Sequence, residues 1–202
     1  MDSTETLLKE ITEVPGVPGY ESEVRAVIRR HLGSLTTIEQ DRLGSIICKR
    51  EGAAAGPRVM LAGHMDEIGF MVRMVTDEGF VKFVPLGGWW NQVMLAQRVV
   101  IKTASGDVPG ITGAKPPHLI PAKERDVMME KKDMYIDVGA TSGAEAKALG
   151  IQPGDPVIPV SDFQVMGNPK PTWARHLTIA WAARCSSRPS NKFLLQSGIV
   201  GN

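Results

Sequence analysis

Cysteine is nearly absent from this 202-residue chain: Cys48 and Cys185 are the only two, far apart and in unlike contexts. That argues against a disulfide framework and suits a reducing cytoplasm. No apolar run approaches the ~20 residues needed to span a bilayer. The N-terminal stretch MDSTETLLKEI is acidic and lacks the apolar core of a signal peptide. An excess of one charge is missing as well. With 23 basic and 22 acidic residues the net charge is +1, which asks for neither a nucleic-acid partner nor an anionic membrane. No P-loop, dinucleotide fingerprint, Ser-His-Asp arrangement or CxxC pair occurs. What remains is ordinary for a globular protein: 43% hydrophobic and 22% charged residues, in a length that suits one large domain or two small ones.

The chain changes character along its length. Ser3 can cap a first helix whose apolar face is Leu7, Leu8 and Ile11, ended by Val14-Pro15-Gly16. After the turn VPGVPGY, the spacing of Val24, Val27, Ile28, His31 and Leu32 predicts a second helix over 21–32, stopped by Gly33. Short strands are expected at 36–39, 45–49 and 58–63, apolar on both faces. Helices followed by such strands suggest an α/β layer, in which ligands gather at the C-terminal ends of the strands. From Phe70 to about Val160 the text becomes rich in Val, Gly and Pro. Its short β-like runs are FMVRMV, FVKFVPL, RVVIK, MYIDVG and DPVIPV, punctuated by turn residues, with one short helix over 142–149. Such a pattern reads as a small barrel or sandwich interrupting the α/β layer.

LAGHMDEIGF, at 61–70, places polar residues where an apolar strand ends. A neutral imidazole binds a divalent ion through one ring nitrogen while the other meets a carboxylate that fixes its tautomer. His64 could be such a ligand, with Asp66 as its carboxylate. Equally, His64 could close a strand while Asp66 and Glu67 begin a solvated turn. The local spacing leaves both open.

GHMDEIGFMV, the later GGWW, GAKPPH (Gly113 to His118), DVGATS (Asp137 to Ser142) and LGIQPGDPV (Leu149 to Val157) together resemble one family. They are similar to the tetrahedral aminopeptidases, the glutamyl or deblocking group, some of whose members carry an endoglucanase label. The resemblance runs in order from about residue 5 to residue 170. It implies a zinc-peptidase-like α/β catalytic domain over 1–69, an inserted β-rich dimerisation domain over 70–160, and the start of a second catalytic segment from 161. It also implies two divalent ions, zinc or cobalt, peptide substrates, and self-association from dimer to dodecamer. Carried over by residue, it makes His64 a metal ligand and Asp66 the acid that orients it.

One part of the family pattern is missing. The resemblance places a bridging aspartate soon after FQVMGNPK, in a motif like GKAFDNR, then paired glutamates, another aspartate and a histidine. After Asp162 the sequence contains no Asp or Glu at all, and His176 is the only late histidine. From Pro171 the charged residues are all basic and two tryptophans fall within nine positions, with no clean amphipathic element. A shifted reading explains this tail. If each codon is rebuilt from the third base of one triplet and the first two of the next, Trp173-Ala174 and Trp181-Ala182 must both give glycine. Permitted codons over 173–185 then spell GKAFDNRMGCAV. The expectation is an out-of-frame segment from about residue 171. The chain then lacks most of the ligands and is inactive, or it acts as a non-catalytic assembly fragment through the β-rich domain.

Other features have blander readings. Gly87-Gly88-Trp89-Trp90 is a pocket rim or, preferably, a turn with core aromatics. His118 in its proline-braced loop either reaches a neighbouring subunit or sits on the surface. The mixed-sign runs at 123–126 and 130–133 read as solvated faces. Met60, Met65, Met71 and Met74 read as core filler, and Cys48 as a small buried apolar residue.

Overall fold

The computed structural model describes residues 3–52, 59–124, 127–165, 172–173 and 193–196. The chain divides into two units, one formed by residues 1–67 with 161–202 and the other by residues 68–160.

In the first unit, helices α1 (Ser3–Glu13) and α2 (Ser22–Leu32) precede strands β1 (Thr37–Gln40), β2 (Ile46–Lys49) and β3 (Val59–Ala62). The i, i+3, i+4 spacing of α2 buries Val24, Val27 and Leu32. These pack with Ile11, Ile46, Cys48 and Met65 into one core, flanked by Leu8, Val14, Ile28 and Ile38. Burial pushes the Cys48 thiol above its ordinary pKa, as expected for a cysteine acting as a small hydrophobe.

The end of α2 differs from the expected glycine stop. Gly33 keeps right-handed helical dihedrals instead of switching to a left-handed conformation. The N–H groups of Leu35 and Thr36 both bond to the Leu32 carbonyl, at 2.9 and 3.0 Å, and the Thr36 hydroxyl joins them at 2.9 Å. Three donors on one carbonyl close the helix without a change of hand. Ser3, expected as a cap, is itself the first described helical residue.

The sheet of this unit runs β1-β2-β12-β3, with β12 (Phe193–Gln196) supplied from the far end of the chain. β12 lies antiparallel to β2 and parallel to β3. The sequence predicts no element there, because four residues without alternation carry no period to detect. The vacancy between β2 and β3 makes them a strand. β3 is apolar on both faces, as expected, but it is not buried on both, since Val59 and Met60 are 42% and 58% exposed. A short strand pair, β10 (Gln164–Val165) with β11 (Thr172–Trp173), completes the described part of this unit.

The second unit is a closed barrel of β4 (Gly69–Val75), β5 (Val81–Leu86), β8 (Tyr135–Asp137), β7 (Gly106–Gly113), β6 (Arg98–Thr103) and β9 (Pro156–Pro159), in that spatial order. Alternation fills it: Phe70 and Val72 on β4, Val81 and Phe83 on β5, Val99 and Ile101 on β6, and Ile136 and Val157 form one buried cluster. A break in the β4–β5 register between Val72 and Met74 rotates the end of β4. Met74 is consequently 48% exposed. Met65 is buried, whereas Met60 and Met74 are on the surface, so methionine as core filler holds only in part.

Strand β7 was not foreseen, because GDVPGITG holds three glycines and a proline. The barrel tolerates both types for separate reasons. Pro109 lies in the stretch of β7 that pairs with β6 alone, before pairing with β8 begins at Ile111. At Gly110 a Cβ would come within 2.5 Å of Ile136 Cγ2, so the neighbouring strand can approach only a glycine.

Helix α3 (Gly143–Ala148) is capped by Ser142, whose hydroxyl accepts the Glu145 N–H. Glu145 reaches back to the Thr141 N–H at 2.7 Å, which holds its carboxyl below the ordinary glutamate range. Ser142→Ala should remove about 1 kcal/mol. That corresponds to a fall of roughly 4–8 °C in the Tm of the barrel unit, measurable by circular dichroism. An unchanged Tm would mean the cap contributes nothing.

Candidate active site

His64 lies one residue, Gly63, beyond the C-terminal end of β3. Successive residues of the HMDE segment then alternate in environment. Met65 and Glu67 are buried, while the side chains of His64 and Asp66 are 47% and 32% exposed. Burial of Met65 in the helical core points its two neighbours outward.

The His64 ring turns onto Asp66 through one nitrogen. Nδ1 lies 3.2 Å from Asp66 Oδ1 and 3.0 Å from the Asp66 carbonyl oxygen. Both acceptors require Nδ1 to carry the proton, which leaves Nε2 as the ring nitrogen with a lone pair. His64 and Asp66, which the spacing allowed as a pair and the family resemblance assigned, are thus brought together.

The VPGVPG turn also contributes to this site, a role its reading as a plain turn did not include. The Glu67 N–H donates to the Gly16 carbonyl at 2.7 Å, tying the end of HMDE to the loop between α1 and α2. Pro18 and Gly19 occupy the centre of a turn closed by Tyr20 N–H to Val17 O at 2.9 Å, with Gly19 at φ +86°. This is the type II pattern, in which glycine takes the left-handed position. No local pattern in the sequence reveals a bond spanning some fifty residues.

The other sequence-chosen residues stand elsewhere. His31 meets Glu10 at 2.5 Å on the helical face, where Arg30 also pairs with Glu10. In the barrel unit, His118 is exposed within the short turn Pro117–Leu119. The two tryptophans of GGWW separate. Trp89 stacks on Phe70 at 4.7 Å and donates its indole N–H to the Gly69 carbonyl at 3.0 Å, while Trp90 is 76% exposed. A cavity of about 810 Å³ in the barrel unit is lined by Lys82, Thr112, Lys115, Met128, Met129 and Glu130 among others, with no histidine or cysteine. His176, Cys185, Arg125, Asp126 and the GNPK stretch lie outside the described residues.

The sequence profile of the M42 glutamyl aminopeptidase family matches residues 44–178, and a second profile, AMPT, matches residues 2–28. The chain belongs to the M42 family. It is 37% identical over 166 residues to the putative aminopeptidase FrvX of Escherichia coli, covering 81% of this chain and 46% of the relative. It is 36% identical over 151 residues to the lysyl aminopeptidase of Pyrococcus furiosus, covering 73% of this chain and 43% of that protein. The chain spans about half the length of the curated relatives it matches. Among solved structures, the TET aminopeptidase of a marine-sediment Thaumarchaeota archaeon superposes with TM-score 0.80 at 42% identity, covering 84% of this chain and 48% of that one. The Pyrococcus horikoshii TET1 peptidase, which can assemble into a tetrahedron or a large octahedral shell, superposes with TM-score 0.80 at 29% identity. Coverage there is 96% of this chain and 60% of that one. As an M42 chain, it has the α/β layer with an inserted barrel that its motifs implied.

Proposed function

We propose that the chain carries the first ligand position of a two-metal aminopeptidase, with His64 as the ligand and Asp66 as the acid that orients it. The observation that carries this reading is the Nδ1 contact to Asp66, which leaves Nε2 as the unprotonated ring nitrogen of a half-exposed side chain just past a strand. In the complete family enzyme, paired divalent ions, zinc or cobalt, would polarise the scissile carbonyl of a peptide's N-terminal residue and acidify a water. The described donors fit one corner of such a centre and not the whole. Among the described residues no group of three or more His, Cys, Asp or Glu stands together to hold an ion. A catalytic zinc ordinarily takes three protein ligands, so no hydrolytic step follows from these residues.

The reading extends to the tail. The absence of any acid after Asp162, and the GKAFDNRMGCAV encoded one frame away, support an out-of-frame segment from about residue 171. Residues 179–202 also lie beyond the family match. The 202-residue chain is then inactive by itself and cytoplasmic, as its two isolated cysteines suit.

A second reading is favoured by the closed barrel, which needs nothing from the other unit to complete its strand order. It would act as an assembly module, pairing with further copies and contacting no membrane or nucleic acid. Among the described residues no helix is long and apolar enough to cross a membrane.

A cobalt titration followed by NMR tests the first reading. Amide signals of residues 61–67 should broaden in the wild-type chain and stay sharp in His64→Gln, with no hydrolysis of an aminoacyl-p-nitroanilide by either. Equal broadening in both would remove His64 from the ligand set, and hydrolysis would refute the claim of inactivity.

A further inference from the structure

We propose that Glu21 is the positioning residue for the His64 ring, acting through the Pro18-Gly19 turn. The proposal rests on reading His64 as a metal ligand.

Glu21 is only 7% exposed, although it is an acid in a segment between a turn and a helix. A carboxylate taken out of water is costly unless its oxygens are bonded. Here both are engaged: Oε1 accepts the Gly19 N–H at 2.6 Å, and Oε2 faces Arg25 Nη1 at 3.4 Å.

Two ordinary roles for this side chain are excluded by its contacts. Glu21 occupies the N-cap position of α2 but makes no capping bond to a backbone N–H of the helix, meeting it instead at the Arg25 side chain. It does not cap. Nor does it shape the turn. The Tyr20 to Val17 bond, the proline at the second position and the glycine at the third already close a type II turn. What the bond to Gly19 adds is placement: it pins an already formed turn against the start of α2.

Placement of that turn is passed on. Val17 joins the turn to Gly16 and is fully buried, so a shift of the turn is carried through its close packing to the residue beside it. That residue is Gly16, whose carbonyl accepts the Glu67 N–H at 2.7 Å. Glu67 is next to Asp66, and Asp66 offers both its carbonyl and its carboxylate to His64 Nδ1. Three hydrogen-bonded links therefore run from the Glu21 carboxylate to the imidazole: Glu21 to Gly19, Gly16 to Glu67, and Asp66 to His64. If the first link is lost, the turn retreats, the Glu67 clamp loosens, and Asp66 no longer holds the proton on Nδ1. The imidazole then returns to the tautomer with its proton on Nε2, the form that cannot ligate through that atom.

The tautomer is directly readable in the full chain and needs no metal. Long-range nitrogen–proton correlation spectra resolve the two ring nitrogens of each histidine, and loss of one set in His64→Gln assigns His64. Spectra are recorded about two units above the ordinary histidine pKa of ~6.5. The wild type should show His64 protonated on Nδ1. Glu21→Ala should exchange the two nitrogen shifts, while Glu21→Gln, whose amide oxygen can still accept the Gly19 N–H, should retain the wild-type pattern. If Glu21→Ala fails to fold, Glu21→Asp carries the test, because it keeps the charge beside Arg25 but withdraws the oxygen from Gly19.

An unchanged His64 pattern in a folded Glu21→Ala or Glu21→Asp chain overturns the proposal. So does a Glu21→Gln pattern like that of alanine, or loss of fold in both the alanine and aspartate variants, which would make Glu21 a residue of folding alone. An unchanged tautomer with cobalt broadening intact would overturn the relay and leave the ligand reading standing. A shifted tautomer without cobalt broadening in the wild type would do the reverse.

Discussion

Phe70→Ala should cost the barrel unit about 3–5 kcal/mol and unfold it first on heating. Phe70 is fully buried on β4 and carries two aromatic contacts, Phe83 at 4.7 Å edge-on and Trp89 at 4.7 Å stacked. Truncation removes a ring from the middle of the barrel core and leaves a void among Val72, Val81 and Val157 that strands fixed in a closed register cannot collapse to fill. A unit of this size has a total stability of roughly 5–14 kcal/mol, so the loss is a large share of it. At 4–8 °C per kcal/mol, the Tm should fall by at least about 12 °C. The check is thermal unfolding followed by fluorescence with Trp90, Trp173 and Trp181 replaced by Phe, so that the Trp89 indole stacked on Phe70 reports the site. A fall under about 5 °C would show that the barrel tolerates the void, and that the cluster around Phe70 is not what holds it.

The same residues show how much of the fold the sequence carried. β4, β5, β6, β8 and β9 were visible because apolar residues that fill a barrel alternate or cluster between turn signals, and FMVRMV, FVKFVPL and RVVIK each do so. β7 was invisible for a local reason with a non-local cause. Gly110 is there because Ile136 of another strand comes too close for a side chain, and a period-2 pattern cannot register a neighbour's approach. Met60 and Met74 were misplaced because hydrophobicity does not encode which face a strand exposes after a bulge or at an uncovered layer. β12 was missed because it is a strand only by virtue of the slot it enters. In the site, two residues of spacing put Asp66 within reach of His64 once the chain turns, but that spacing left a solvated turn equally open, and only the longer family motifs singled the pair out. Glu21 was not, since its effect passes through Gly19, Gly16 and Glu67, and no window of sequence contains all of them.

Inserting one base, or deleting two, between the codons for Lys170 and Pro171 should give an active aminopeptidase when translation continues in the new frame, whereas the 202-residue chain, on the reading proposed above, hydrolyses nothing. The argument is one of ligand supply. The present reading offers His64 with Asp66 and then, after Asp162, no carboxylate at all. The shifted reading restores an aspartate within GKAFDNRMGCAV, the place where the family resemblance requires an acid shared between two ions. With two forced glycines at the right separation, chance agreement is a poor explanation for that string. The family resemblance puts the further ligands and the general base after that motif. Metal-activated water with a carboxylate base then becomes available, and rate enhancements for enzymes begin at about 10⁶. Hydrolysis of an aminoacyl-p-nitroanilide should therefore rise from buffer background to an easily measured turnover, and His64→Gln in the restored protein should abolish it. Sequencing the gene across Lys170 comes first. If the third-base frame does not encode Asp-Asn-Arg, the frameshift reading fails, and the basic tail with its β12 strand must be taken as the chain's own design.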